Sequence, residues 1–190
     1  MLFGSPLVEP TPTTGEVVTL RRVKFSSQPE QIVFLRKMVD GYRGMNEIRQ
    51  RARDIVFRQY GCTPKDHPQH ALAVGSWVHR NVTYVQEIPE VFQTPLTTLY
   101  ERYGDCDDFV TLICSLLESV GVETELVGME WAGSDGDRSF RHIFPRARIH
   151  RRGQIFRIPL DATICDPIEE NKDPIRVALA KGAKLRLFIS

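Results

Sequence analysis

The stretch YGDCDDFVTLICSLLESVG, Tyr103 to Gly121, sets a cysteine behind Gly104 and Asp105, places Asp107 and Asp108 after it, and then enters an apolar run. Phe109, Val110, Leu112, Ile113, Leu116, Leu117 and Val120 recur at helical spacing and give one broad apolar face, which Gly121 closes. Cys106 therefore stands where a helix begins. Unpaired N–H groups and the helix dipole favour a thiolate at that position. Cys114 lies two turns further in, beside the apolar face, and reads as packing. Cys106 itself has four possible roles: metal ligand, half of a disulfide, buried filler or nucleophile.

Composition narrows these. The four cysteines, Cys62, Cys106, Cys114 and Cys165, are scattered without a C-x-x-C pair, which argues against a disulfide framework and against a thiolate zinc site. Lys+Arg 25 against Asp+Glu 24 leaves a formal charge of +1, so overall charge gives no case for nucleic acid or an anionic membrane as partner. No apolar run approaches the roughly 18 to 20 residues of a transmembrane helix, and MLFGSPLVEPTPTTG lacks the basic start and apolar core of a signal peptide. A cytoplasmic protein is expected. At 190 residues the chain is long enough for one domain with a sizeable core.

Working outward from Cys106, residues 1–15 read as an extended arm, and Glu16 to Ser26 alternates like a strand. Helices are expected from Pro29 to about Tyr42 and from Asn46 to Tyr60. Asp66 or His67 before Pro68 predicts the start of another, running through HALAVGSWVHRNV into an extended TYVQEI. TPLTTLYERYG predicts a short helix capped by Thr94 and ended by Gly104. After the cysteine helix, ETELVGMEW, FRHIFPRARIH and QIFRIPLDAT predict an antiparallel meander, with a loop AGSDGDRS and a turn at Arg152-Gly153 between them. CDPIEENKDP is a loop, and the tail IRVALAKGAKLRLFIS fits either helix or strand.

A nucleophilic thiol needs a proton acceptor, usually histidine, oriented by a carboxylate or amide. His142 lies in the second strand of the meander, on the face of Phe140 and Phe144, and that strand is expected to pack on the cysteine helix. Asp161 ends the next strand, where a neighbouring carboxylate could meet the imidazole, although with Thr163 it also fits a turn or cap. His150 beside Arg151 and Arg152 reads as exposed hairpin, His67 and His70 as a polar helix start, and His79 as part of a helix outside this unit.

Gly104-Asp105-Cys106-Asp107-Asp108 with its helix and Gly121, then His142, then Leu160-Asp161-Ala162-Thr163, together resemble the transglutaminase-like superfamily of the papain-like fold. WVHRNVTYVQ resembles the family's helix before the cysteine loop, and the likeness runs from Gln69 to Thr163. The resemblance implies an α+β fold in which the cysteine helix packs on an antiparallel sheet. Residues 66–190 would form the catalytic core, and 1–65 an arm, strand and helical extension. It further implies a triad of Cys106 as nucleophile, His142 as general base and acid, and Asp161 as orienting carboxylate.

The implied activity is thiol-dependent acyl transfer: a cysteine peptidase or amidohydrolase on peptide or isopeptide bonds, through a thioester. Alternatives are a cross-linking transglutaminase and a non-catalytic assembly module, since small bacterial and bacteriophage members include virion components. The expected partner is a protein or peptide substrate. The oxyanion hole would use the Cys106 N–H and a second donor, with Gln86, Gln93 and Tyr84 as candidates. Asp108 is expected to tie the helix start to nearby backbone. No cofactor is expected. Some relatives hold calcium through acids beside the cysteine, but Asp105 and Asp107 fall short of the roughly six to eight oxygens calcium takes. Ile143 stands where the family often has an aromatic residue, and QIFRIPL replaces an aromatic-rich stretch.

Overall fold

The computed structural model describes residues 19–21, 27–86, 91–132, 139–181 and 184–190. The expected arm and most of the loop AGSDGDRS lie outside them. Four antiparallel strands form the sheet: β5 (Glu123–Ala132), β6 (Ser139–Arg151), β7 (Gln154–Pro159) and β8 (Leu185–Ile189), in the order β7-β6-β5-β8. Arg152 and Gly153 turn β6 into β7 with φ of 51° and 75°, the left-handed pair that a two-residue hairpin turn requires.

The strand period separates two faces. Leu126, Ile143, Ala147 and Ile149 point to one side, where helices α1 (Gln28–Tyr42) and α5 (Cys106–Ser119) bury them. Val127, Met129 and Phe144 point to the other, against Ile175 of α6 (Pro174–Ala180). Gly128 is needed where α1 crosses the sheet: a Cβ there would lie 2.9 Å from the Ile32 side chain.

The remaining helices are α2 (Asn46–Arg53), α3 (His67–Asn81) and α4 (Pro95–Glu101). The helix expected to Tyr60 relaxes into a π-helix over Asp54–Gln59, where Tyr60 N–H donates to the Ile55 carbonyl five residues back. Asp66 caps α3 by accepting from Gln69 N–H at 3.2 Å, and Thr94 caps α4 by accepting from Thr97 N–H at 3.1 Å. Contrary to expectation, α4 ends at Arg102 in the left-handed region (φ 62°), not at Gly104. The Arg102 guanidinium lies 4.5 Å over the Trp77 ring, a contact that favours arginine there. Of the strand expected over residues 16–26, β1 (Thr19–Arg21) is described, paired antiparallel with β3 (Val91–Gln93). The ambiguous tail is both: helix α6, then strand β8.

The helices preceding Cys106 share its core. Leu35, Met38 and Val39 of α1 pack with Val110, Cys114, Leu126 and Ile143, while Ile48, Ala52, Ile55 and Val56 pack with Trp77, Leu112, Leu116 and Leu117. Glu118 at the end of α5 accepts from Arg36 at 2.7 and 2.6 Å and from the Thr124 hydroxyl at 2.6 Å, joining α1, α5 and β5. Among the described residues no helix is long and apolar enough to cross a membrane.

Candidate active site

Cys106 is the first residue of α5, and its start is held by a capping box. Asp105 Oδ1 accepts from Asp107 N–H at 3.0 Å, and Asp108 Oδ2 accepts from Asp105 N–H at 3.2 Å. Asp108 Oδ1 also accepts from Gln93 N–H at 2.8 Å, so this carboxylate ties the helix start to β3 as expected. Gly104 makes room for it: a Cβ at that position would fall 2.7 Å from Asp108 Cβ. Gly104 therefore serves the capping box of α5 and not the end of α4. Gly104 pairs with Tyr84 where β4 (Tyr103–Gly104) meets β2 (Thr83–Tyr84) in parallel.

The sulfur meets the sheet where one strand stops. β7 ends at Pro159 opposite Arg146, so beyond it the outer side of β6 has no strand partner among the described residues. The Ile143 N–H there donates to the Cys106 sulfur. His142 precedes that residue and points to the other face, its ring stacked near Phe144 at 6.2 Å between centroids. His142 thus shares a face with Phe144, as the alternation predicts, but that face is not the one α5 covers.

Asp161 follows the last sheet bond, Leu160 N–H to the Pro145 carbonyl at 2.9 Å. Its Oδ2 lies 2.5 Å from His142 Nε2, and its Oδ1 accepts from Thr163 N–H and Oγ1 at 3.2 and 2.6 Å. The carboxylate is 2% exposed. His142 and Asp161 are therefore brought together, and Cys106 lies close enough to Asp161 to feel its charge.

Burial, then the charges of Asp107 and Asp105, push the Cys106 thiol well above the ordinary thiol range, and the Ile143 N–H offsets this only in part. The thiol points to Asp107 Oδ1 at 3.9 Å. Asp107 is in turn held by Gln31 of α1, whose Nε2 donates to Oδ2 at 2.8 Å. Donor atoms of Asp105, Cys106 and Asp107 lie within 4.8 Å of one another. Their carboxylates already accept from Asp107 N–H and Gln31, an arrangement that fits a helix cap and not the oxygen cage of calcium.

Of the three oxyanion-donor candidates, Gln93 is buried and donates through Nε2 to the Tyr103 carbonyl at 3.3 Å, while Gln86 is exposed. Tyr84 lies close enough to Cys106 to feel its charge. Its ring meets Phe109 edge-on at 6.1 Å, and burial followed by the charge of Cys106 raises its phenol. His150 pairs with Glu123 at 2.9 Å on the surface, and His70 is buried against the Thr63 carbonyl at 3.0 Å; neither meets Cys106. His79, assigned by its helix to a separate unit, touches the aspartate loop instead: its Nδ1 lies 2.7 Å from the Ala162 carbonyl. Neither Gln31 nor His79 carries a local sequence signal, because each contact joins segments far apart in the chain.

These features can be set beside known proteins. The family model of the transglutaminase-like superfamily matches residues 53–156. No match is found among curated proteins. Among solved structures, a "putative protease" from Parabacteroides distasonis superposes with a TM-score of 0.51 at 13% identity, over 70% of this chain and 26% of that one. A "putative cysteine protease" from Cytophaga hutchinsonii gives a TM-score of 0.47 at 21% identity, over 87% of this chain and 54% of that one. The chain thus spans about a quarter of the first and about half of the second of those proteins. With the family model matched over more than half its length, and the cysteine helix, antiparallel sheet and histidine–aspartate pair in that order, the chain belongs to the transglutaminase-like superfamily.

Proposed function

We propose that this protein is a cysteine peptidase or amidohydrolase that cleaves peptide or isopeptide bonds through a thioester on Cys106. Cys106 Sγ attacks the carbonyl carbon as its proton passes to His142 Nδ1, the nitrogen left by the Nε2 contact with Asp161. The oxyanion is held by the Cys106 N–H and the Tyr84 hydroxyl, whose raised pKa keeps it a donor. His142 returns the proton to the leaving amine as the tetrahedral species collapses to the thioester. Water then gives up a proton to His142, attacks, and releases the acid with the thiol restored.

The observation that carries this reading is the His142–Asp161 pair beside a cysteine at a helix start. A fold used only for assembly gains little from a buried carboxylate paired with histidine, since apolar residues of similar volume are often at least as stabilising. Hydrolysis and cross-linking share this thioester, and the acceptor, water or amine, decides between them.

Incubation with an activated ester such as p-nitrophenyl acetate tests this. Intact-mass and peptide mapping are expected to find an acetyl group on Cys106 that water discharges, with Cys106→Ala forming none. Nitrophenol release at equal rates from wild type and Cys106→Ala would sink the proposal. Preferential discharge to an added primary amine would instead make the protein a transglutaminase.

A further inference from the structure

Asp161 sits where the sheet no longer supports the chain. After the Leu160–Pro145 bond the backbone turns sharply, with Ala162 N–H donating to the Leu160 carbonyl at 2.8 Å and Ile164 N–H to the Asp161 carbonyl at 3.3 Å. The Thr163 contacts to Asp161 lie inside this turn and move with it, so they cannot fix the carboxylate relative to His142. Apart from His142, hydrogen bonds to this segment from outside the turn come, among the described residues, from one face of α3. Ser76 Oγ donates to Asp166 Oδ1 at 2.5 Å, Arg80 Nε donates to Asp166 Oδ2, and His79 Nδ1 meets the Ala162 carbonyl at 2.7 Å. Gly75 lets Pro167 approach so closely that a Cβ would lie 2.9 Å from it. Residues 75, 76, 79 and 80 follow the spacing of a single helix face.

We propose that His79 is a positioning residue: by holding the Ala162 carbonyl, one peptide from Asp161, it keeps the Asp161 carboxylate in register with His142. The inference rests on reading Cys106, His142 and Asp161 as one reacting set. Because the acceptor is a carbonyl, Nδ1 carries the hydrogen, and the hold persists whether or not the ring is protonated. α3 thereby acts on the chemistry without touching the reacting atoms.

The test is the rate of Cys106 alkylation by iodoacetamide at pH 7, read by peptide mapping, for wild type, Asp161→Asn, His79→Ala, His79→Asn and the Asp161→Asn/His79→Ala double variant. Asp161→Asn is expected to slow the reaction. His79→Ala should slow it about tenfold, and should slow it no further in the Asp161→Asn background, since residues acting through one another are not additive. His79→Asn, whose amide N–H takes the place of Nδ1–H, should restore the rate to within about twofold. Should His79→Ala fail to fold, His79→Phe keeps the ring volume without the donor and is read in the same way. A His79→Ala rate equal to wild type, or a full additional loss in the double variant, overturns the role of His79. An Asp161→Asn rate equal to wild type overturns the reading of the reacting set itself.

Discussion

At the sulfur of Cys106 two influences oppose each other. The helix start favours a thiolate, while burial and the carboxylates of Asp107 and Asp105 favour the neutral thiol. The second influence wins at rest, so in the proposed reaction the proton leaves as attack occurs and passes to His142. Asp107 is the adjustable part, because Gln31 holds its carboxylate beside the sulfur. Removing that charge with Asp107→Asn lowers the thiol pKa, so the rise of alkylation rate with pH should move to lower pH. An unmoved curve in a pH titration of iodoacetamide reactivity would show that the Asp107 charge does not set the thiol. The choice of Cys106 over Cys114 was legible in the sequence, since one opens the helix and the other lies on its apolar face. The grip of Gln31 was not, because nothing local marks a partner 76 positions away.

At the scale of elements, short-range rules succeed where local chemistry decides and fail where tertiary contacts do. Asp66 and Thr94 cap their helices because a side-chain oxygen three residues before an N–H needs no distant help. Gly104 does not end α4, because the space it leaves belongs to Asp108 across the next turn. His142 was placed on the correct side of its own strand, but which side α5 covers depends on packing that alternation does not encode.

The aspartate loop shows the same dependence. Burial pushes the Asp166 carboxyl up, but the Ser76 hydroxyl, the Ile168 N–H and Arg80 together hold it below the ordinary carboxylate value. With the folded pKa below the unfolded one, the stabilisation is complete above the unfolded pKa and is lost as pH falls through the folded one. Asp166→Asn should therefore lower stability at pH 7, and urea melts should show the gap to wild type closing below about pH 4. A gap of equal size at pH 7 and pH 3 would mean that the charge of Asp166 contributes nothing.

At the scale of the molecule, the site exists because α5, far back in the chain, begins where the β6–β7 hairpin opens: β7 stops and β6 continues past it. The order of cysteine helix, histidine strand and aspartate strand could be read from local patterns. The core that holds them together could not, because α1 lies over Gly128 and joins Val110 and Ile143 through contacts that no periodicity announces. Shared packing of α1, α5 and the sheet makes the distance from Cys106 to His142 a property of the whole fold. The central claim, that His142 takes the proton of Cys106, is tested most directly by the pH dependence of Cys106 alkylation in wild type and His142→Asn. The account predicts that His142→Asn reacts at least about tenfold more slowly at pH 7 and approaches wild type at pH 10, where hydroxide replaces the missing base. Superimposed curves across that range would contradict it.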